Sequence, residues 1–192
     1  MAIMELTEWA YALSESLLSE PLPRRWAHSL GVAKRARSLS PILGNDADLL
    51  EAAAVLHDIG YAPAVAVTGF HPLDGARFLR DHEKADDRVV RLVAHHSCAL
   101  LEAEERELRE ELESEFSLER ADLVDALLYC DMTTTPDGAQ TTPSDRLDEI
   151  VQRYGPDTIV GRFIQRAAPE IHAAAQRVEE RLAKVSTGGQ PM

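Results

Sequence analysis

Residues 51–61 read EAAAVLHDIGY. The run from Glu51 to Leu56 is rich in Ala and Leu, strong helix formers. Asp46 stands where a cap for that helix belongs, and Gly60 ends it. At the far end sit an imidazole and a carboxylate, His57 and Asp58. Burying that pair at the end of an apolar helix costs desolvation free energy unless something compensates, and a divalent metal would compensate both. Neighbouring helix residues point about 100° apart, so the two can share one ion only where it lies off the helix end.

Helical periodicity extends from this segment in both directions. Leu6, Trp9, Leu13 and Leu17 make one stripe on a helix over 5–18. Pro21 and Pro23 punctuate, and a second helix over 24–40 carries Trp26, Leu30, Val32, Ala33, Ala36 and Leu39, stopped by Pro41 and Gly44-Asn45. The third helix covers 46–58. YAPAVAVTGF at 61–70 reads as a loop, because the alternation at Val65 and Val67 is too short for a strand. Helices are expected over 71–82, with Pro72 in a favourable first-turn position, and over 86–97.

The acidic stretch 102–119 keeps a narrow stripe of Leu101, Leu108, Leu112 and Phe116 and reads as a solvated surface helix. A more apolar helix spans 122–131. MTTTPDGAQTTP at 132–143 is a polar loop with a Pro-Asp-Gly turn. Ser144 is the expected cap of a helix to Tyr154, and a last helix follows Gly155-Pro156 to about Lys184. No strand pair and no linker composition appears. The expectation is one all-α domain over 1–185, its C-terminal helices in 144–185, with a frayed tail at 186–192.

The 192 residues suffice for one domain, and 45% are hydrophobic, enough for a real core. Lys and Arg number 20 against 33 Asp and Glu, a net charge of −13. That balance argues against a nucleic-acid polymer as partner, which needs a basic face, and against a polybasic membrane patch. Cys98 and Cys130 are too few for a disulfide framework and read as small buried apolar groups. The first residues lack a basic n-region and no apolar run approaches about 18 residues, so the expected location is the cytoplasm.

Five of the seven histidines alternate with carboxylates in a fixed order: His28, then His57-Asp58, His71, His95-His96 and Asp131. Each lies in or at the end of an otherwise apolar helix, and such ends converge in bundle cores, where metal sites are built. His82, between Asp81 and Glu83, and His172 read as surface residues.

Taken together, RRWAHSLGVAKRA, AAAVLHDIGY, FHPLDGARFL, VVRLVAHHS and DALLYCDMT resemble the HD-domain superfamily of metal-dependent phosphohydrolases over roughly residues 20–150. The resemblance implies an all-helical bundle with the metal in its core. It implies His28, His57, Asp58 and Asp131 as ligands of a first ion. A two-ion branch would add His71 and His96, with His95 as the alternative, and Asp58 would bridge. This ligand chemistry suits one or two ions of Fe, Mn, Ni, Co, Zn or Mg. His57 and Asp58 would stand at the catalytic centre, where a metal lowers the pKa of water and neutralises phosphoryl charge.

Substrate would then be held by basic and neighbouring groups. Arg25, one helical turn before His28, resembles the R-x-x-H of bacterial relatives that hydrolyse dinucleoside polyphosphates, and reads equally as a surface arginine. Arg146 is a second candidate, and Tyr61 either touches substrate or plugs the cleft. The 132–143 loop, with Thr133, Thr134, Thr135 and Asp137, reads first as a connection and second as a segment that closes over substrate.

HHSCALLEA lacks the G-Y-P that follows the histidine pair in the cyclic-dinucleotide phosphodiesterase branch. Tyr61 stands where the deoxynucleotidase branch has a catalytic Glu and other branches a Lys. The expected function is hydrolysis of a phosphate ester or anhydride of a small phosphorylated metabolite, with a nucleotide favoured and oligomerisation left open. Two further readings share the residues: an HD-fold di-iron oxygenase acting on a phosphonate or polyol, and a non-catalytic metal-stabilised signalling module.

Overall fold

The computed structural model describes residues 5–187, which are helical throughout apart from their connections. The chain runs α1 (Leu6–Leu18), α2 (Pro23–Ser38), the short α3 (Ser40–Leu43), α4 (Ala47–Leu56), α5 (His71–Phe78), α6 (Asp87–Ala94), α7 (Ala99–Glu105), α8 (Arg109–Glu115), α9 (Ala121–Met132), α10 (Pro143–Tyr154) and α11 (Ile159–Thr187). A single antiparallel bridge, Thr134 to Gln140, is the β pairing among the described residues. Of the tail expected at 186–192, Ser186 and Thr187 continue α11 instead, and the rest lies outside the described residues.

The axis of the fold is α4. Every residue from Leu49 to Leu56 is buried, and α1, α2, α6 and α9 pack around it. Three consecutive alanines, Ala52, Ala53 and Ala54, let those neighbours come close on all sides. A second apolar cluster, with Met132, Leu147, Ile150, Phe163 and Ile164, joins α9, α10 and α11.

Several expected boundaries move, each for a local reason. Asp46 does not cap α4 with its side chain. Its carboxylate accepts from Arg88 and Arg120, each at 2.8 Å, tying the start of α4 to α6 and α9. The cap of α10 is Thr142, whose hydroxyl accepts from the Asp145 N–H, because Pro143 takes the first helical position. α5 ends at Phe78 in a wide turn over Leu79–Glu83, where Lys84 has a positive φ of 52°.

The acidic stretch is two short helices, α7 and α8, broken where Glu107 adopts φ 61°. Its carboxylates are largely paired rather than merely solvated. Glu104 and Glu105 meet Arg162 and Arg166 of α11, while Glu115 meets Arg77 and Arg80. Among the described residues no helix is long and apolar enough to cross a membrane.

Candidate metal centre

α4 stops at Leu56, so His57 and Asp58 leave from its end, with Asp58 already outside helical geometry (φ −101°, ψ 5°). Their side chains therefore converge on one point beyond the helix terminus. His28 reaches that point from the middle of α2, Asp131 from the last turn of α9, His96 from just after α6 and His71 from the first residue of α5. His28, His57, Asp58, His96 and Asp131 are all buried.

The hydrogen bonds settle which nitrogen faces the centre. His28 Nδ1 lies 2.9 Å from the Thr135 carbonyl, His57 Nδ1 2.7 Å from Ala54, and His96 Nδ1 2.7 Å from Val93. A carbonyl oxygen only accepts, so each Nδ1 carries the proton and donates it. In that tautomer each ring directs Nε2 inward, the arrangement that orients imidazole ligands on a metal.

What those nitrogens meet is informative. His57 Nε2 is buried with no hydrogen-bond partner. His28 Nε2 lies 2.9 Å from Asp131 Oδ1, a contact that needs either a proton on Nε2 or a metal ion between the two atoms. His71 Nε2 and His96 Nε2 are 3.0 Å apart, so both point into the same space. Asp58 Oδ2 is 3.4 Å from His57 Nε2 and Asp58 Oδ1 is 3.4 Å from His71 Nε2. His28, His57 and Asp131, and likewise His57, Asp58 and His96, can each bring their ligand atoms within 4.8 Å of one another. Converging Nε2 atoms, that of His57 without a partner, beside two carboxylates fit a divalent cation.

Gly60 and Gly75 let α5 deliver His71. A Cβ on Gly60 would lie 2.7 Å from the His71 carbonyl carbon and 2.8 Å from its Cα, and on Gly75 3.2 Å from the Gly60 nitrogen. The two backbones thus cross in direct contact. Upstream, the buried Asp74 carboxylate accepts from the backbone N–H groups of Val67, Thr68 and Gly69, fixing the approach to His71.

The 132–143 segment folds as a small tongue: Thr135 N–H donates to Ala139 at 2.7 Å and Thr141 N–H to Thr133 at 2.9 Å. Gly138 of the tongue sits on Gly31 of α2, where a Cβ would lie 2.6 Å from the Gly138 Cα. This docked segment orients His28 through the Thr135 carbonyl.

His95 turns away from the cluster, its Nε2 donating to the Phe116 carbonyl at 2.7 Å. The geometry therefore selects His96. Expected results follow for the pair. His96→Gln lowers metal occupancy measured by elemental analysis, whereas His95→Gln leaves occupancy intact and costs about 1 kcal/mol of stability for one lost hydrogen bond. Metal loss in His95→Gln alone would reverse the assignment.

Arg25 is not a surface arginine. Its Nη1 donates to Asp58 Oδ2 at 2.7 Å and its guanidinium lies 3.8 Å over the Tyr61 ring. Tyr61 in turn stacks on His71, ring centres 4.0 Å apart. Tyr61 is thus a spacer that holds Arg25 and His71. Arg146 is buried, donates to Glu149 and leaves its Nε without a partner.

Two participants escaped the sequence reading. Ser97 donates to Asp131 Oδ2 from a left-handed conformation (φ 51°), followed by Cys98 at φ 60°. Strain of this kind, of about 1–3 kcal/mol per residue, gathers at functional sites. Glu102 is buried at the cleft and paired with Arg106 at 2.7 Å. Its spacing to Arg106 was the available signal, hidden by the acidic residues around it.

Burial opposes ionisation of Asp58 and Asp131. For Asp58 the Arg25 guanidinium and the surrounding imidazoles outweigh it, for Asp131 the His28 hydrogen bond and the His57 ring do, and both carboxyls fall well below their usual range. Burial pushes His71 and His96 down, each reinforced by a neighbouring ring, and burial also lowers His95. Burial raises Glu102, with Arg106 opposing, and pushes the Cys98 thiol up to about 12.

The sign for stability follows. Below about pH 6.5 the unfolded chain protonates these three histidines while the folded chain does not. The metal-depleted protein should lose stability as pH falls from about 7.5 to 5, each kcal/mol lowering Tm by roughly 2–4 °C. Asp58 and Asp131, held below their usual range, contribute above about pH 3.9 and add no slope in that window, while the raised Glu102 opposes the histidines with a smaller slope of opposite sign. A flat melting profile there would contradict neutral buried imidazoles.

The centre opens into a narrow cleft of about 70 Å³, lined by Arg25, Tyr61, Glu102, Arg146, Tyr154 and Phe163 among others. A family model described as HD domain matches residues 25–153. Ribonuclease Y of Rubrobacter xylanophilus is 37% identical over 70 residues, 36% of this chain and 14% of that protein. Ribonuclease Y of Rhodopirellula baltica is 38% identical over 69 residues, 36% of this chain and 13% of that protein. The likeness thus covers about one-seventh of those relatives' length. No solved structure matches. The family match begins at Arg25, in the first helix to supply the centre, and ends at Arg153, two-thirds of the sequence, and on that extent the chain belongs to the HD domain family of metal-dependent phosphohydrolases.

Proposed function

We propose that this chain hydrolyses a phosphate ester or anhydride of a small phosphorylated metabolite, a nucleotide being the favoured case. The observation that carries the reading is the set of inward Nε2 atoms, that of His57 without any partner, held by Nδ1–H bonds to backbone carbonyls beside Asp58 and Asp131. A divalent ion in that set supplies acidified water and neutralises phosphoryl charge.

The chain's own groups supply the rest. Arg25 steadies Asp58 and faces the cleft, its planar fork kept in place by Tyr61. Arg146 brings a buried, incompletely satisfied guanidinium to the same cleft, suited to phosphoryl oxygens. Ile150, Phe163 and Ile164 line it with apolar surface that excludes water from part of the bound molecule. The matched relatives are named for ribonuclease activity; the net charge of −13 supports a small substrate over an RNA chain for this protein.

The test is phosphate release across nucleotides and phospho-sugars by metal-loaded chain, with and without chelator. Release that chelator abolishes and added metal restores is expected, and a panel that yields none would overturn the reading. The nearness of His71 and His96, Nε2 to Nε2, also suits a pair of irons acting with O₂ on a phosphonate or polyol. Two irons per chain, substrate-dependent O₂ uptake and no phosphate release would favour that alternative.

A further inference from the structure

We infer that a second cleft beside the metal centre is an anion subsite, and that it selects substrates carrying a second phosphoryl group next to the one cleaved; this rests on the phosphohydrolase reading. The cleft, of about 280 Å³, is lined by Pro21, Leu22, Pro23 and Pro136 and by four arginines, Arg24, Arg25, Arg146 and Arg153. Arg25, His28, Arg146 and Arg153 line both clefts, so the two are continuous.

Concentrated positive charge is unexpected in a chain of net charge −13. The acids that face it are few. Arg24 pairs with Asp137 at 2.7 Å, both groups mostly exposed at the tip of the tongue, and Arg25 with Asp58. Arg146 and Arg153 share the single carboxylate of Glu149, Arg153 at 3.3 Å. One carboxylate cannot satisfy two guanidinium groups of five N–H donors each, and the Arg146 Nε, buried and unpartnered, shows the shortfall. A tetrahedral oxyanion with several acceptor oxygens is the chemistry that completes it. The proline and leucine wall adds a flat apolar surface for whatever organic group the second phosphoryl carries.

Arg25 and Arg146 stand at the junction of the two clefts, so a diphosphate would lay one phosphoryl at the metal centre and the other between Arg146, Arg153 and Arg24. A monophosphate cannot reach both.

The test is calorimetric titration of magnesium-loaded protein, magnesium kept saturating, with inorganic phosphate and with inorganic pyrophosphate. Pyrophosphate is expected to bind at least about tenfold tighter, and Arg24→Ala/Arg153→Ala to bring that ratio close to one. Because Arg146 is buried, these two more exposed residues carry the test, and Arg146→Met is a second variant with the same expected loss. Equal binding of the two ligands by the unaltered chain, or a preference that survives Arg24→Ala/Arg153→Ala, would overturn the inference. Phosphate release by the same preparation across nucleoside mono-, di- and triphosphates and phospho-sugars tests the hydrolase reading separately. Hydrolysis with equal binding sinks the subsite alone, and pyrophosphate preference without hydrolysis of any phosphate ester or anhydride sinks the hydrolase reading alone.

Discussion

Asp58→Asn is expected to abolish metal retention and phosphate release while leaving the fold in place. Asp58 is the residue on which both ligand groups lean: Oδ2 faces His57 and His28, and Oδ1 faces His71. An amide keeps the volume and can still accept from Arg25, but it has lost the charge that a cation needs. A bound metal contributes several kcal/mol to phosphoryl transfer, and each 1.36 kcal/mol is tenfold in rate. The loss in kcat/KM should therefore be at least about 10³-fold. Stability should fall by no more than about 3 kcal/mol, the range for one hydrogen bond to a charged group, with the helical circular dichroism unchanged. Asp58→Ala should give the same metal and activity result with a larger stability loss, because Arg25 is then left without an acceptor. A fully active Asp58→Asn protein would remove Asp58 from the centre.

Gly60→Ala should produce a large structural effect from a single added methyl group. The added Cβ meets backbone, not the yielding end of a side chain: the His71 carbonyl group and Cα. Overpacking of a close-packed interior costs about 1–3 kcal/mol, and more where the neighbour cannot rotate away. A loss of about 3 kcal/mol or more is expected, read as a lower denaturant midpoint at unchanged slope. The α5 start should shift, carrying His71 off its 3.0 Å approach to His96, so metal occupancy falls too. Gly75→Ala is the graded control, since its added Cβ meets the Gly60 nitrogen at 3.2 Å and should cost less. Equal stability in all three proteins would mean that the crossing of α5 over the Ile59–Tyr61 turn does not position His71.

The contrast between Asp58 and Ser97 shows what a sequence of this kind makes visible. The all-α class is legible because apolar positions recur at three- and four-residue spacing in nearly every segment, and the structure is helical where that spacing holds. Helix ends are less legible. Asp46 and Ser144 have good capping chemistry, but Arg88 and Arg120 claim the first and Pro143 moves the second cap to Thr142. Such outcomes depend on residues far away in sequence.

The centre divides in the same way. His28, His57, Asp58, His71, His96 and Asp131 stand out because polar groups at the ends of apolar helices need a reason to be there, and the structure brings these six together. The choice between His95 and His96 needed the Phe116 carbonyl, 21 residues beyond His95 and outside any local pattern. Ser97 matters through a left-handed backbone that no residue type at 97 or 98 announces. The tongue at 132–143 is polar and turn-rich, as loops are. Its contribution is a backbone oxygen, that of Thr135, which leaves no mark in the side-chain sequence.

The most direct measurement is the metal content of the purified chain, by elemental analysis across Fe, Mn, Ni, Co, Zn and Mg, beside that of Asp58→Asn. The account predicts one to two ions per chain in the unaltered protein and none in the variant, with both proteins folded. A folded, unaltered chain that holds no ion after incubation with each metal would contradict the claim that these imidazoles and carboxylates form a metal centre.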